Sequence, residues 1–183
     1  MLLLKDTLNT VFQEIIQDEK IMTLMNLPTV YKDDSEKVKT AKINKIIKQA
    51  ITLSSQNPKA LGEQFPKVKI GDKIFEKYGR VRMTIYNVLG DNLGSDVFGR
   101  PKLEIDVYHL NEDVDIALEI IDRLTTKFSR RKIDIEWTDD DGNKHISPRE
   151  LTYIGATTQI ANINNYEQSG VRFYYYASHY SSY

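Results

Sequence analysis

A chain of 183 residues is long enough for one domain with a substantial core and too short for two comfortable ones. Hydrophobic residues at 40% and charged residues at 28% exclude wholesale disorder, and 25 Lys+Arg against 26 Asp+Glu exclude the bulk electrostatic attraction of a general nucleic-acid binder, so any such contact must be local. The absence of cysteine excludes disulfides, thiolate metal sites and cysteine nucleophiles, and fits synthesis in a reducing cytoplasm.

The apolar start, Met1 to Leu4, meets Lys5 and Asp6 at once, which is too short for a signal-peptide core or a membrane span. The expectation is a protein neither exported by that route nor anchored. From Leu4 the apolar residues Leu4, Leu8, Val11, Phe12, Ile15 and Ile16 recur at helical spacing. The helix is expected to run on through Ile21, Met22, Leu24, Met25 and Leu27 and to stop at Pro28, since the residue before proline is biased away from helical geometry. After a polar linker from Tyr31 to Lys37, a second helix from about Val38 to Leu53 places Ile43, Ile46, Ile47, Ala50 and Ile51 on one side. Lys37, Lys39, Lys42, Lys45 and Lys48 occupy the remainder, where a solvated face is a simpler reading than a phosphate-tracking surface.

Ser54 to Pro66 is rich in turn formers. Gly71-Asp72, between Val68–Ile70 and Lys73–Phe75, suits a tight hairpin. Arg80 to Val88 and Lys102 to His109 alternate apolar and polar residues, predicting two strands with one buried and one wet face. The connection Leu89 to Pro101 is longer than a hairpin needs, which makes it a candidate functional loop. Asn111 is placed to cap a helix with a stripe of Val114, Ala117, Leu118, Ile121, Leu124, Thr125 and Phe128. That helix should lie across the strands, because neither element can bury its stripe alone. Ile133, Ile135 and Trp137 predict another strand, Thr138 to Asn143 an acidic turn, and Leu151 to Ile163 a covered strand. Asn164-Asn165 then turns the chain into a last strand, Val171 to Ala177, with aromatic residues at alternate and intervening positions. The expected fold is α+β, a single domain over 1–183. A helical N-terminal extension (1–60) precedes a core (66–183) of mostly antiparallel sheet with a helix across one face.

Asp139 to Glu150 resembles a twelve-residue EF-hand calcium loop, with Asp139, Asp141, Asn143 and Glu150 where oxygen ligands are needed. It departs at Lys144, where the family uses glycine, and a strand precedes it in place of an entering helix. A β-hairpin with an acidic tip is therefore the preferred reading, with a calcium-binding module as the alternative. His109, His145 and His179 are scattered, and no phosphate loop, dinucleotide fingerprint or nucleophile elbow occurs. No enzyme activity and no cofactor are expected. Tyr174 and Tyr176, on the opposite face of the last strand from Val171, Phe173 and Tyr175, suit either a contact surface or a half-buried strand.

The passage Leu103-Glu104-Ile105-Asp106-Val107-Tyr108, a polar break at His109 to Asp113, and then Ala117 to Leu124 resembles the central strand and helix of bacteriophage tail terminator proteins, also called tail-to-head joining or tail completion proteins. Phe65 to Asp72 is similar to that family's first strand, and the Asp141-Gly142 turn and the Val171-Arg172-Phe173 strand follow in the same order, so the likeness covers about two thirds of the chain. The resemblance implies a structural virion protein of the head-tail neck, made in the host bacterial cytoplasm. It implies a homohexameric ring that caps the tail tube and joins it to the head-side connector, with non-specific DNA contact in its channel and no membrane. Partner contacts are expected at Asp91, Asn92, Phe98 and Arg100 in the long loop and at Tyr174 and Tyr176. The N-terminal helices exceed what small members of the family need, which leaves another neck or head-completion protein as the alternative.

Overall fold

The computed structural model describes residues 4–54, 81–88, 102–109, 111–163 and 166–177. The hairpin expected around Gly71 and the loop carrying Asp91, Asn92, Phe98 and Arg100 lie outside the described residues. In chain order the elements are α1 (Leu4–Ile16), α2 (Glu19–Leu24), α3 (Glu36–Gln49), β1 (Ile51–Ser54), β2 (Arg82–Val88), β3 (Lys102–His109), a 3₁₀ turn (Asn111–Asp113), α4 (Val114–Phe128), β4 (Arg131–Thr138), β5 (Lys144–Ile163) and β6 (Tyr166–Ala177). Among the described residues the strands form one six-stranded sheet in the order β1-β2-β3-β6-β5-β4. Of these neighbouring pairs only β1 and β2 run parallel, so the fold is α+β with a mostly antiparallel sheet.

The first apolar stripe forms α1, with Leu8, Val11, Phe12, Ile15 and Ile16 buried. It does not continue to Pro28. Asp18 interrupts it by capping a new helix, its carboxylate accepting a hydrogen bond from the Ile21 N–H at 3.2 Å. After α2, Asn26 takes a left-handed φ of 55°, a conformation asparagine tolerates, and the Val30 N–H donates back to the Ile16 carbonyl at 2.9 Å. This returns the chain toward the end of α1.

The second expected helix is also shorter. It ends at Gln49, and Ile51–Ser54 is a strand in parallel register with β2, Ile51 opposite Met83 and Leu53 opposite Ile85. Ala50 closes α3 by donating to the Ile46 carbonyl, while its own carbonyl accepts from the Met83 N–H at 2.8 Å. The β-branched Ile51 and Thr52 gain a ladder partner that a last helical turn would deny them. The N-terminal residues are thus no appended extension. They supply a sheet strand, and α1, α2, α3, the sheet and α4 contribute to a single hydrophobic cluster.

Within that cluster α4 touches β3, β5 and β6, while α1 touches β2 and β4. A helix of 13 residues is about 20 Å long and strands four places apart in a sheet lie about 19 Å apart, so α1 can reach both. The buried stripe of α4 is Ala117, Ile120, Ile121, Leu124 and Phe128. Ile120 belongs to it, whereas Val114 and Leu118 are exposed, so the buried face is turned toward Ile120 relative to the expected stripe. Asn111 opens the 3₁₀ turn, and Asp113 stands at the helix N-terminus without a side-chain capping bond.

Two further expectations change. Residues 81–86 of the β2 segment and 103–109 of β3 are buried on both faces, not wet on one. β6 is longer than foreseen and interior, flanked by β3 and β5, so Tyr174 stands opposite both Lys102 and Thr152, and Tyr176 opposite Glu150.

Candidate functional site

Three groupings of polar side chains are positioned by this fold. The first is the β4–β5 hairpin. Its ladder runs from Arg131 opposite Leu151 to Thr138 opposite Lys144, which confirms the hairpin reading of the acidic turn. Asp139 organises the tip. One of its oxygens accepts from the backbone N–H groups of Asp141 (3.1 Å) and Asn143 (2.7 Å), and the other lies 3.1 Å from Asn143 Nδ2 and 2.7 Å from His145 Nε2. These bonds, that from His145 foremost and that from the Asn143 backbone next, hold the Asp139 carboxyl at about 2. Gly142 takes φ +85°, the left-handed geometry a tight turn needs.

The oxygen set of a calcium loop is not assembled here. Asp139 is consumed as a turn organiser, and Glu150 sits opposite Lys132, six residues up the strand from Lys144, or roughly 20 Å. Behind the tip, the His145 ring stacks on Trp137 with centroids 4.5 Å apart, and Trp137 Nε1 donates to Ser147 Oγ at 3.0 Å. Residues 134–138 and 144–148 pair with each other as the outer part of this hairpin. Ile146, in that part, is 66% exposed.

The second grouping is the polar face of the β2–β3 ladder. Register places Arg82 opposite Tyr108, Thr84 opposite Asp106 and Tyr86 opposite Glu104, so all six share one side, and all are buried. The Tyr86 hydroxyl lies 2.6 Å from Glu104 Oε2 and 2.8 Å from Asp106 Oδ2. One phenol has one proton to give, so that proton is shared between two acceptors. Burial first, then the charge of Asp106, and then these hydrogen bonds push the Tyr86 phenol far above the ordinary tyrosine range. Tyr108 is raised as well, by burial and then by Asp106. Both phenols therefore remain donors at any physiological pH, which suits cross-linking of strands and not nucleophilic or base chemistry. The alternation that identified these strands also marked this face, but alternation cannot say whether the polar side meets water or a second layer.

The third grouping fastens α2 to α4. Asp18, whose side chain is 2% exposed, accepts from Arg123 Nε at 3.1 Å and faces Lys127 Nζ at 3.3 Å. Lys127 also meets Glu14 (3.4 Å), Glu14 meets Arg131 (3.2 Å), and Lys20 meets Glu119 (2.7 Å). Burial alone would raise the Asp18 carboxyl; the bonds from Arg123 and from the Ile21 N–H, with the charge of Lys127, overcome it and lower it below the ordinary value. A shallow groove of about 620 Å³ runs beside this network, between Gln17–Leu24 and Arg123–Lys127. The cations along it are engaged by carboxylates of the chain itself, so the network is a clasp between elements.

Among the described residues no three or more His, Asp or Glu side chains gather as a metal ion requires, and no helix is long and apolar enough to cross a membrane. Of the contact residues expected from the sequence, Tyr174 and Tyr176 are placed by backbone register alone, and the other four lie outside the described residues. No family model and no curated protein sequence matches the chain.

Proposed function

We propose that this chain is a structural protein of a tailed-phage virion: a tail terminator that forms a ring, caps the tail tube and joins it to the head-side connector. The observation that carries the reading is the outer part of the β4–β5 hairpin, where Ile146 is 66% exposed. An exposed apolar residue on one face of a subunit can be covered by a different face of its neighbour, the head-to-tail relation that closes cyclic rings. An isoleucine this exposed gains roughly 1.5–3 kcal/mol when covered. The resemblance of residues 103–124 to the central strand and helix of tail terminators points the same way. The clasp and the shared core supply the rigidity that a ring subunit needs.

Light scattering and negative-stain microscopy of the full chain, alone and with purified tail tubes, test the proposal. Rings of several subunits, in solution or at the tube end, are expected, and Ile146→Glu should abolish them while leaving the monomer folded. A strict monomer that fails to bind tails would overturn the reading.

A further inference from the structure

The helix α3 carries five lysines and one glutamate in 14 residues, a local excess of +4 (5 − 1) in a chain whose net charge is −1. It rests on the domain by one side only: Ile46 is buried, Ile43 is half-buried, and the helix packs against β1. Two of the lysines are engaged. Lys39 meets Glu36 at 3.1 Å, and Lys42 meets Asp34 at 2.6 Å while lying 5.0 Å above the Tyr31 ring. Lys37, Lys45 and Lys48 are exposed and make no ion pair among the described residues.

At 100° per residue these three fall within one arc, centred opposite the Ile46–Ile43 side, with Ala41 inside it, Asn44 at its edge and no acidic residue between. Lys37 and Lys48 are about 16 Å apart along the axis, with Lys45 between them. We infer that this face of α3 docks on the phosphate backbone of double-stranded DNA. Unpaired lysines supply the charge, and Asn44 at the edge of the arc is a side chain that hydrogen-bonds phosphate oxygens. An anionic membrane surface is the poorer fit. The exposed apolar residues of α3, Val38 and Ile47, lie on opposite flanks of the lysine arc and leave no continuous apolar wedge to enter a bilayer. The docking needs neither a ring nor a tail partner, so it stands apart from the assembly reading.

Fluorescence anisotropy of a labelled, mixed-sequence duplex with the full chain decides it. Three phosphate contacts predict a salt slope near −2.7, so affinity should fall about 40-fold between 50 and 200 mM salt. A triple variant, Lys37→Gln, Lys45→Gln and Lys48→Gln, should bind about tenfold more weakly or worse, and its Glu counterpart not at all. Circular dichroism confirms that each variant is folded, and neutralising Lys5, Lys132 and Lys144 together should leave affinity unchanged. Absence of duplex binding at 50 mM salt, an equal loss in the control variant, or preference for phosphatidylserine vesicles over duplex would each overturn the inference.

Discussion

The two sides of the β2–β3 ladder enclose opposite chemistry at the same depth. On one, Met83, Ile85, Leu103, Ile105 and Val107 pack toward the helices; on the other, Arg82, Thr84, Tyr86, Glu104, Asp106 and Tyr108 are buried almost as completely. The apolar side gains from every square ångström removed from water and asks little of geometry beyond filling space. The polar side gains only where each group finds a partner, because an unsatisfied buried donor or acceptor costs about 1–3 kcal/mol. The first side therefore supplies most of the stability and the second fixes how the strands align.

The largest effect should come from the apolar side. Ile105→Ala removes a fully buried side chain at the centre of the ladder and should cost about 2–5 kcal/mol, read from chemical denaturation. On the polar side, Tyr86→Phe keeps the ring but takes the phenol away from both Glu104 and Asp106, at about 2 kcal/mol. The pH dependence distinguishes the two. The Tyr86 phenol is raised in the folded state, so its contribution is complete below the unfolded phenol value near 10 and is lost as pH rises beyond it. Ile105→Ala should lower stability equally at neutral and alkaline pH, whereas the deficit of Tyr86→Phe should shrink above about pH 10. A deficit that stayed constant with pH would show that the phenol is not held protonated by this face.

The Asp18 clasp is a third case, polar yet at the rim. Asp18→Ala loses a helix cap together with the bonds to Arg123 and Lys127 and should cost at least about 1–2 kcal/mol, while Asp18→Asn keeps an oxygen for the cap and loses the charge and one acceptor facing the two cations. Since the carboxyl is lowered in the folded state, its ionic contribution is present above the ordinary carboxylate value and disappears as pH falls through and below it. The gap between wild type and Asp18→Asn should thus close below about pH 4. Acid titration of the two proteins checks it.

Much of this was legible from alternation and periodicity. β2, β3, α4 and β4 stand close to where the spacing of Val81 to Ile85, Leu103 to Val107, Ala117 to Phe128 and Ile133 to Trp137 puts them. Such patterns report which side of an element is apolar; they do not report what covers the other side, and so the burial of Arg82, Glu104 and Asp106 escaped. Ile51 to Leu53 fits a helical stripe and a short strand equally well, and only its long-range pairing with β2 decides. Asp18 is one residue in an otherwise helical run; its cap to Ile21 is local, but its burial against Arg123, 105 positions later, is not. Tyr174 and Tyr176 suit a contact surface by their chemistry, while strand order, invisible in composition, places their strand between β3 and β5.

The smallest effect sharpens the comparison most, because it runs against the usual direction. The Thr84 side chain is fully buried, and its hydroxyl makes no hydrogen bond among the described residues. Thr84→Val is nearly isosteric and exchanges that hydroxyl for a methyl group. If the polar side of the ladder is stable only where its groups are partnered, removing an unpartnered one should stabilise the fold, by about 1 kcal/mol. The same substitution would destabilise if the Thr84 hydroxyl were satisfied, since its partner would then be stranded. The sign of the change in denaturation midpoint is therefore the informative quantity, and the measurement also calibrates Tyr86→Phe. Two hydroxyls on the same strand face, two residues apart, would shift stability in opposite directions, separating the contribution of partnership from that of burial.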